Sequence, residues 1–174
     1  MRRYVVKTAV ASSVALIALL VWANWSGRSI ADGVHADRVV VLKSKRQLEL
    51  YANGKLLKSY VVSLGRHPVG AKEREGDKRT PEGLYAVESH KPHSSFHLAL
   101  KVSYPSTSDR TAAEKRGVAP GGDVMIHGIR NGLGGLGRLQ RLLDWTAGCM
   151  AVTNPEIDEI YRIVPDGTPI EIRP

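Results

Sequence analysis

Cys149 is the only cysteine in the chain, and it lies in the run Asp144-Trp145-Thr146-Ala147-Gly148-Cys149-Met150-Ala151. His127 precedes it, in Val124-Met125-Ile126-His127-Gly128. A lone cysteine cannot close an internal disulfide or complete a zinc site that needs two or more thiolates. Three roles remain: an inert buried thiol, an intermolecular bridge, or a nucleophile. A free thiol has a pKa of about 8.5 and is mostly protonated near neutral pH. A nearby imidazole can take that proton and leave an ion pair whose thiolate attacks carbonyls. Gly148 allows a backbone bend with no side chain in the way. The N–H groups of Gly148 and Cys149 are then candidates to face an oxyanion. Free cysteines are also among the most buried residues, and the residues by themselves leave catalysis and inert burial evenly matched.

Two other patterns suggest chemistry and carry less. Gly132-Leu133-Gly134-Gly135-Leu136-Gly137 matches the dinucleotide fingerprint G-x-G-x-x-G. That fingerprint opens a βαβ series, whereas here the preceding chain is a meander of strands and little chain follows. A glycine loop, able to move over a site, is the better reading. His90, His93 and His97 are spaced as ligands on one helix face would be, but their surroundings read as loop and strand. No zincin-like acidic residue accompanies them. We expect neither metal nor cofactor, with His97 kept as a substrate-facing candidate.

The elements that must position these residues follow from hydropathy patterning. Met1 to Lys7 is a basic leader, Thr8 to Trp22 is apolar or small throughout, and no acid precedes Asp32. This is the form of a secretory signal or an uncleaved membrane anchor over residues 1–25, with Trp22 and Trp25 suited to a membrane interface. The chain is therefore expected to be exported, to the periplasm or the outer face of the inner membrane. Residues 26–36 read as a linker and 37–174 as one catalytic domain, a size that buries a core without disulfides. The formal charge of +8 suits an anionic partner such as a wall polymer or phospholipid headgroups. Aromatics at 6% and the absence of a Lys/Arg block argue against nucleic acid.

Within the domain, Arg38–Lys43, Gln47–Tyr51 and Leu56–Leu64 read as strands, with Asn53-Gly54 as the hairpin turn between the second and third. Residues 65–79 read as a long loop, and Thr80-Pro81-Glu82-Gly83 as a type I turn. Leu84–Glu88, Phe96–Tyr104, Asp123–His127 and Pro169–Ile172 complete the strands. Ser106–Arg116 and Leu136–Leu143 are helical, and Asn154 is placed to cap a last helix with Pro155 in its first turn.

Thr80-Pro81-x-Gly83, Met125-Ile126-His127-Gly128 and Thr146-x-Gly148-Cys149-Met150, in this order, resemble the L,D-transpeptidase catalytic domain with its YkuD-type fold. The resemblance covers roughly Asp37 to Arg173. It implies a mainly β, sandwich-like domain with short helices, and an acyltransferase of cell-wall biogenesis and cell shape. By that resemblance Cys149 is the nucleophile and His127 the general acid/base. Gly148 lies in the oxyanion region, and Trp145, Thr146, Gly128 and His97 are substrate-binding candidates. The implied partners are peptidoglycan stem peptides and, as an acceptor for anchoring, a wall lipoprotein. The chain departs from the family in carrying Ala147 where His or Ser is common and Ala151 where Arg is common. Three readings follow: a transpeptidase, a peptidoglycan hydrolase (carboxypeptidase or amidase) on the same scaffold, and a non-catalytic wall-binding module. The last has least support, because both His127 and Cys149 are present.

Overall fold

The computed structural model describes the backbone of residues 2–25 and 27–174, and side chains from residue 13 onward except Ser26. A first helix, α1 (Arg2–Asn24), precedes the domain. Arg2, Arg3 and Lys7, on which the export reading leans, lie outside the residues whose side chains are described. Among the described residues, no helix is long and apolar enough to cross a membrane.

The domain is built on β1 (Arg38–Leu42), β2 (Gln47–Ala52), β3 (Lys55–Val61), β4 (Gly83–Ser94), β5 (His97–Val102), β6 (Met125–His127), β7 (Met150–Ala151) and β8 (Pro169–Arg173). Helices α2 (Thr107–Lys115) and α3 (Asn154–Ile163) and a 3-10 segment (Gly134–Leu142) are inserted among them. Asn53 and Gly54 both take positive φ, 52° and 73°, the pairing that a tight β2–β3 hairpin needs. The sandwich-like arrangement expected from the hairpins takes the form of one continuous eight-stranded sheet, ordered β3-β2-β1-β8-β4-β5-β6-β7. Strand β4 joins its two halves. Its start pairs with β8 and its later part with β5, with register shifts between Val87 and Ser89 and between Lys91 and Ser94. Such irregularities bend and twist a strand, which is how one sheet curls around a core.

Two pairings are parallel: β1 with β8, and β6 with β7. The first puts β1 in the sheet interior, where Val39, Val40 and Val41 are all buried. Continuous Val runs suit a strand covered on both faces. Against the sheet lies α3, with Ile157, Ile160 and Ile163 fully buried, each worth roughly 1.5–3 kcal/mol of apolar burial. Its cap is Thr153 rather than Asn154: the Glu156 carboxylate accepts from the Thr153 backbone N–H at 3.0 Å and from its hydroxyl at 2.8 Å, the side-chain half of a capping box in which the third helical residue reaches back to the cap. Asn154 is freed for another task, described below.

Thr80 to Gly83 forms no turn; Gly83 opens β4. The Thr80 carbonyl accepts from Lys43 Nζ at 3.0 Å, and the Glu82 carboxylate pairs with the same ammonium at 2.7 Å. A third bond runs from Lys43 Nζ to the Gly70 carbonyl, at 2.6 Å. A buried cation thus draws three backbone and side-chain acceptors around itself, which outweighs the local preference for a turn. The segment after α1 is tied to the domain as well. Ile30 N–H donates to Glu159 at 2.5 Å and Arg162 pairs with Asp32 at 2.8 Å.

Candidate active site

Cys149 immediately precedes β7, and His127 ends β6, the strand that pairs with it. The parallel register sets Ile126 opposite Met150 and His127 opposite Ala151. Both side chains line one cavity of about 540 Å³, together with Phe96, Met125, Trp145 and Thr146. The sheet edge therefore does what the sequence spacing only suggests: it brings the thiol and the imidazole to one opening.

His127 is 3% exposed. Its Nδ1 lies 2.7 Å from the Gly128 carbonyl, an acceptor, so Nδ1 carries the proton and Nε2 is left as the base. Burial pulls the imidazole pKa below its ordinary 6.5, and the carbonyl bond opposes that pull in part. The ring is walled by aromatics: Phe96 at 4.6 Å and Trp145 at 5.7 Å between centroids. Burial also pushes the Cys149 thiol above its ordinary 9.0, with the Met125 backbone and Lys72 opposing the rise and Asp123 adding to it. The thiol's hydrogen-bond partner is the Asp123 carbonyl, at 3.5 Å, not the imidazole. Where the residues suggest an ion pair, burial instead favours the neutral form of each group, because removing charge from water costs more than these neighbours return.

The backbone at Cys149 is set by Thr146. Its hydroxyl donates to the Cys149 carbonyl at 2.7 Å and accepts the Gly148 N–H at 3.1 Å. Gly148 has φ +135°, and a Cβ there would come within 2.6 Å of the Arg79 carbonyl oxygen, so the position admits glycine alone without rearrangement. The expectation that both the Gly148 and Cys149 amides face an oxyanion is revised: the Gly148 N–H is already taken. The Cys149 N–H has no hydrogen-bond partner among the described residues. Thr80, from the Thr-Pro-x-Gly run, accepts the Gly65 N–H at 3.1 Å, and Gly65 bridges to Thr146. That motif supports the Cys149 loop from behind.

Trp145 donates its indole N–H to Gln140 Oε1 at 2.7 Å. Gln140 also accepts from the Ser63 hydroxyl at 2.9 Å, which fastens the 3-10 segment to the sheet. Asp144 accepts the Leu64 N–H at 2.9 Å and pairs with Arg46 at 2.8 Å. Gly128 lies behind the site, not in it. A Cβ there would sit 2.8 Å from Asn154 Oδ1, and that same oxygen accepts the Ile129 N–H at 2.8 Å. His97 does not line the cavity either; its Nε2 is 2.7 Å from Asp158 Oδ1. His90 is similarly engaged, with Asp166 and the Tyr161 carbonyl. Among the described residues no group of three or more His, Cys, Asp or Glu is gathered as metal ligands.

With this geometry in view, residues 36–172 match the L,D-transpeptidase catalytic domain family, YkuD. The chain belongs to that family. The Escherichia coli K12 protein YafK, provisionally named an L,D-transpeptidase, is 31% identical over 132 residues, covering 72% of this chain and 46% of YafK. The chain thus spans about half the length of that relative. Among solved structures, the K307A variant of the helical cell shape determining protein Pgp2 from Campylobacter jejuni superposes with a TM-score of 0.62 at 24% identity, covering 81% of this chain and 48% of that one. An L,D-transpeptidase from Mycobacterium smegmatis gives 0.52 at 16% identity, covering 80% and 59%. These likenesses establish a mainly β fold of the L,D-transpeptidase kind. The family is one of enzymes acting on peptidoglycan stem peptides in the periplasm.

Sequence reasoning missed Phe96, Gln140, Asp123 and Lys72 as neighbours of the site. Phe96 is the chain's single phenylalanine, a signal that was present. The other three are ordinary polar residues whose roles come only from long-range packing.

Proposed function

We propose that this chain is a peptidoglycan L,D-transpeptidase that works through a Cys149 thioester. The observation that carries the reading is that Cys149 and His127 line one cavity, with His127 Nδ1 held by the Gly128 carbonyl so that Nε2 is free to take a proton. Cys149 Sγ attacks the carbonyl of the third residue of a donor stem peptide, and its proton passes to His127 Nε2. The Cys149 N–H meets the oxyanion. The C–N bond to the terminal D-alanine breaks, and the imidazolium returns the proton to the leaving amine. An amine from a second stem then attacks the thioester, giving up its proton to His127 and releasing the thiol, with a 3→3 cross-link formed. A lipoprotein amine in that place gives protein anchoring.

Phe96 and Trp145 shape the donor side of the cavity, and Lys91 stands at its rim, where a carboxylate of a stem peptide would meet positive charge. Ala147 is exposed and lines the cavity beside Cys149, so the mouth is wider than a His there would leave it. That opening gives water access to the thioester and, with Ala151 standing where Arg is common in the family, keeps hydrolysis as the second reading. The activity is placed outside the cytoplasm, with the basic leader and apolar stretch of residues 1–25 as export signal or anchor.

The test is covalent labelling with a carbapenem, read by intact mass. One adduct is expected, absent in Cys149→Ala. An unmodified chain at millimolar drug would overturn the nucleophile assignment. Muropeptide products then separate the two readings, since 3→3 dimers mark transfer and trimmed monomers mark hydrolysis.

A further inference from the structure

The segment between His127 and Cys149 carries an apolar surface that the chemistry does not use. Leu142 and Leu143 are 78% and 73% exposed, and Leu133 and Leu136 are 49% and 43% exposed. With Phe96 and Trp145 they line a second cavity of about 470 Å³, adjoining the first through those two aromatic walls. Apolar surface gathered in this way marks a place of contact.

Three observations identify the partner. From Gly128 to Leu143 the chain has Arg130, Arg138 and Arg141 and no acid; Arg141 is paired with Glu156 at 2.6 Å and the following Asp144 with Arg46 at 2.8 Å, which leaves Arg130 and Arg138 as the cations that give the leucines a positive border. The end of α1 is joined to this segment: Asn24 Nδ2 donates to the Gly135 carbonyl at 3.1 Å, and Arg138 donates to the Trp25 carbonyl at 2.6 Å. Arg138 also lies over the Trp22 ring at 5.6 Å. Gly137 permits the approach, since a Cβ there would fall 2.2 Å from the Ala23 carbonyl oxygen. Finally, the turns of α1 that lead into this contact are themselves apolar and exposed, with Ile17, Leu20, Val21 and Trp22 at 60%, 44%, 56% and 55%.

We propose that the end of α1 and the leucines of the 3-10 segment form one surface that rests in the headgroup layer of an anionic phospholipid bilayer. Leucines reach toward the acyl boundary, arginines meet lipid phosphates, and tryptophans lie at the interface. The face does not require a spanning helix. It fixes the catalytic domain against the membrane rather than letting it swing on residues 26–36. Because Phe96 and Trp145 belong to both cavities, the active site then opens beside the bilayer. On the transpeptidase reading, its substrates are the stem peptides nearest the membrane.

The full chain with Cys149→Ala supplies a background free of native thiols. An environment-sensitive fluorophore on Leu142→Cys is then compared with the same label on Lys55→Cys, in the distant β2–β3 hairpin, and on Val14→Cys in α1. Nanodiscs of phosphatidylglycerol and phosphatidylethanolamine carry nitroxide on their acyl chains. The surface predicts a blue shift and nitroxide quenching at positions 142 and 14 and neither at 55. Quenching at 14 without quenching at 142 would overturn the proposal, showing a domain that hangs away from the lipid. So would no quenching anywhere, or a blue shift at 142 without lipid accompanied by a doubled mass, which would assign the face to a second copy. None of these readouts depends on catalysis, so failure here and failure of the transpeptidase reading are distinguishable.

Discussion

At Cys149 and His127, burial works on both groups in the direction of their neutral forms, and the pH profile of acylation should show it. His127 titrates below 6.5 and Cys149 above 9.0. Both groups then favour their neutral forms between those values, so carbapenem acylation rates should show no ionisation limb centred in that window. The rate should fall only on the acid side, as His127 gains its proton and ceases to be a base. A resting thiolate–imidazolium pair would give the reverse, with ionisation limbs inside that window. Stopped-flow inactivation rates across pH decide between them. Trp145→Phe keeps the ring contact with His127 but removes the indole donor that Gln140 accepts. We expect a loss of about 1 kcal/mol in stability and a modest slowing of acylation. Trp145→Ala, which opens the cavity wall, should raise the donor KM several-fold.

The loop before the nucleophile and the loop beneath it act as single units. Gly148→Ala must push a methyl group toward the Arg79 carbonyl from a backbone at φ +135°. Roughly 1–3 kcal/mol of strain should appear as loss of acylation with little change in the bulk sheet by circular dichroism. Beneath it, Asp77 gathers Lys72 Nζ at 2.9 Å and the N–H groups of Glu73, Arg74 and Arg79. Burial acts to raise the Asp77 pKa, but these donors outweigh it and bring it down to about 2, against 3.8 ordinarily. A depressed carboxylate contributes stability above its unfolded value and loses it as pH falls toward the folded one. The wild type should therefore lose stability between pH 4 and 2 by a component that Asp77→Asn lacks. Thermal unfolding of both proteins across that range measures the difference.

Over the whole molecule, Lys43 joins parts that are distant in sequence. It follows β1, is 2% exposed, and holds Gly70, Thr80 and Glu82 together. Lys43→Met leaves three acceptors without their cation, Glu82 among them. The expected cost is about 3 kcal/mol, or roughly 6–12 °C in the midpoint of thermal unfolding for a chain of this size. Because Thr80 also braces Gly65 behind Thr146, acylation should fall in parallel. A variant with full stability and full activity would remove Lys43 from this role.

Every strand but the two-residue β7, the Asn53-Gly54 hairpin, the last helix and the candidate residues Cys149 and His127 were legible in the sequence, because each is written in local chemistry: alternation, turn residues, a proline at a helix start, a cysteine beside a glycine. The cap of α3 was misplaced by one residue because Thr153 and Asn154 are both good caps, and only Glu156 and Ile129 decide between them. The Thr80–Gly83 turn failed because a lysine far upstream claims its carbonyl. Site membership behaved in the same way. Cys149, His127, Trp145 and Thr146 share one cavity, while Gly128 packs behind it and His97 is drawn off to Asp158. The sequence by itself singled out Cys149 and His127 as the candidates for chemistry and marked most of the elements that hold them. Only the tertiary structure decided that β1 and β8 pair in parallel, that one curled sheet replaces two layers, and that burial disfavours charge on both Cys149 and His127. Those outcomes depend on partners far apart along the chain and on exclusion of water, neither of which is encoded in any short stretch of residues.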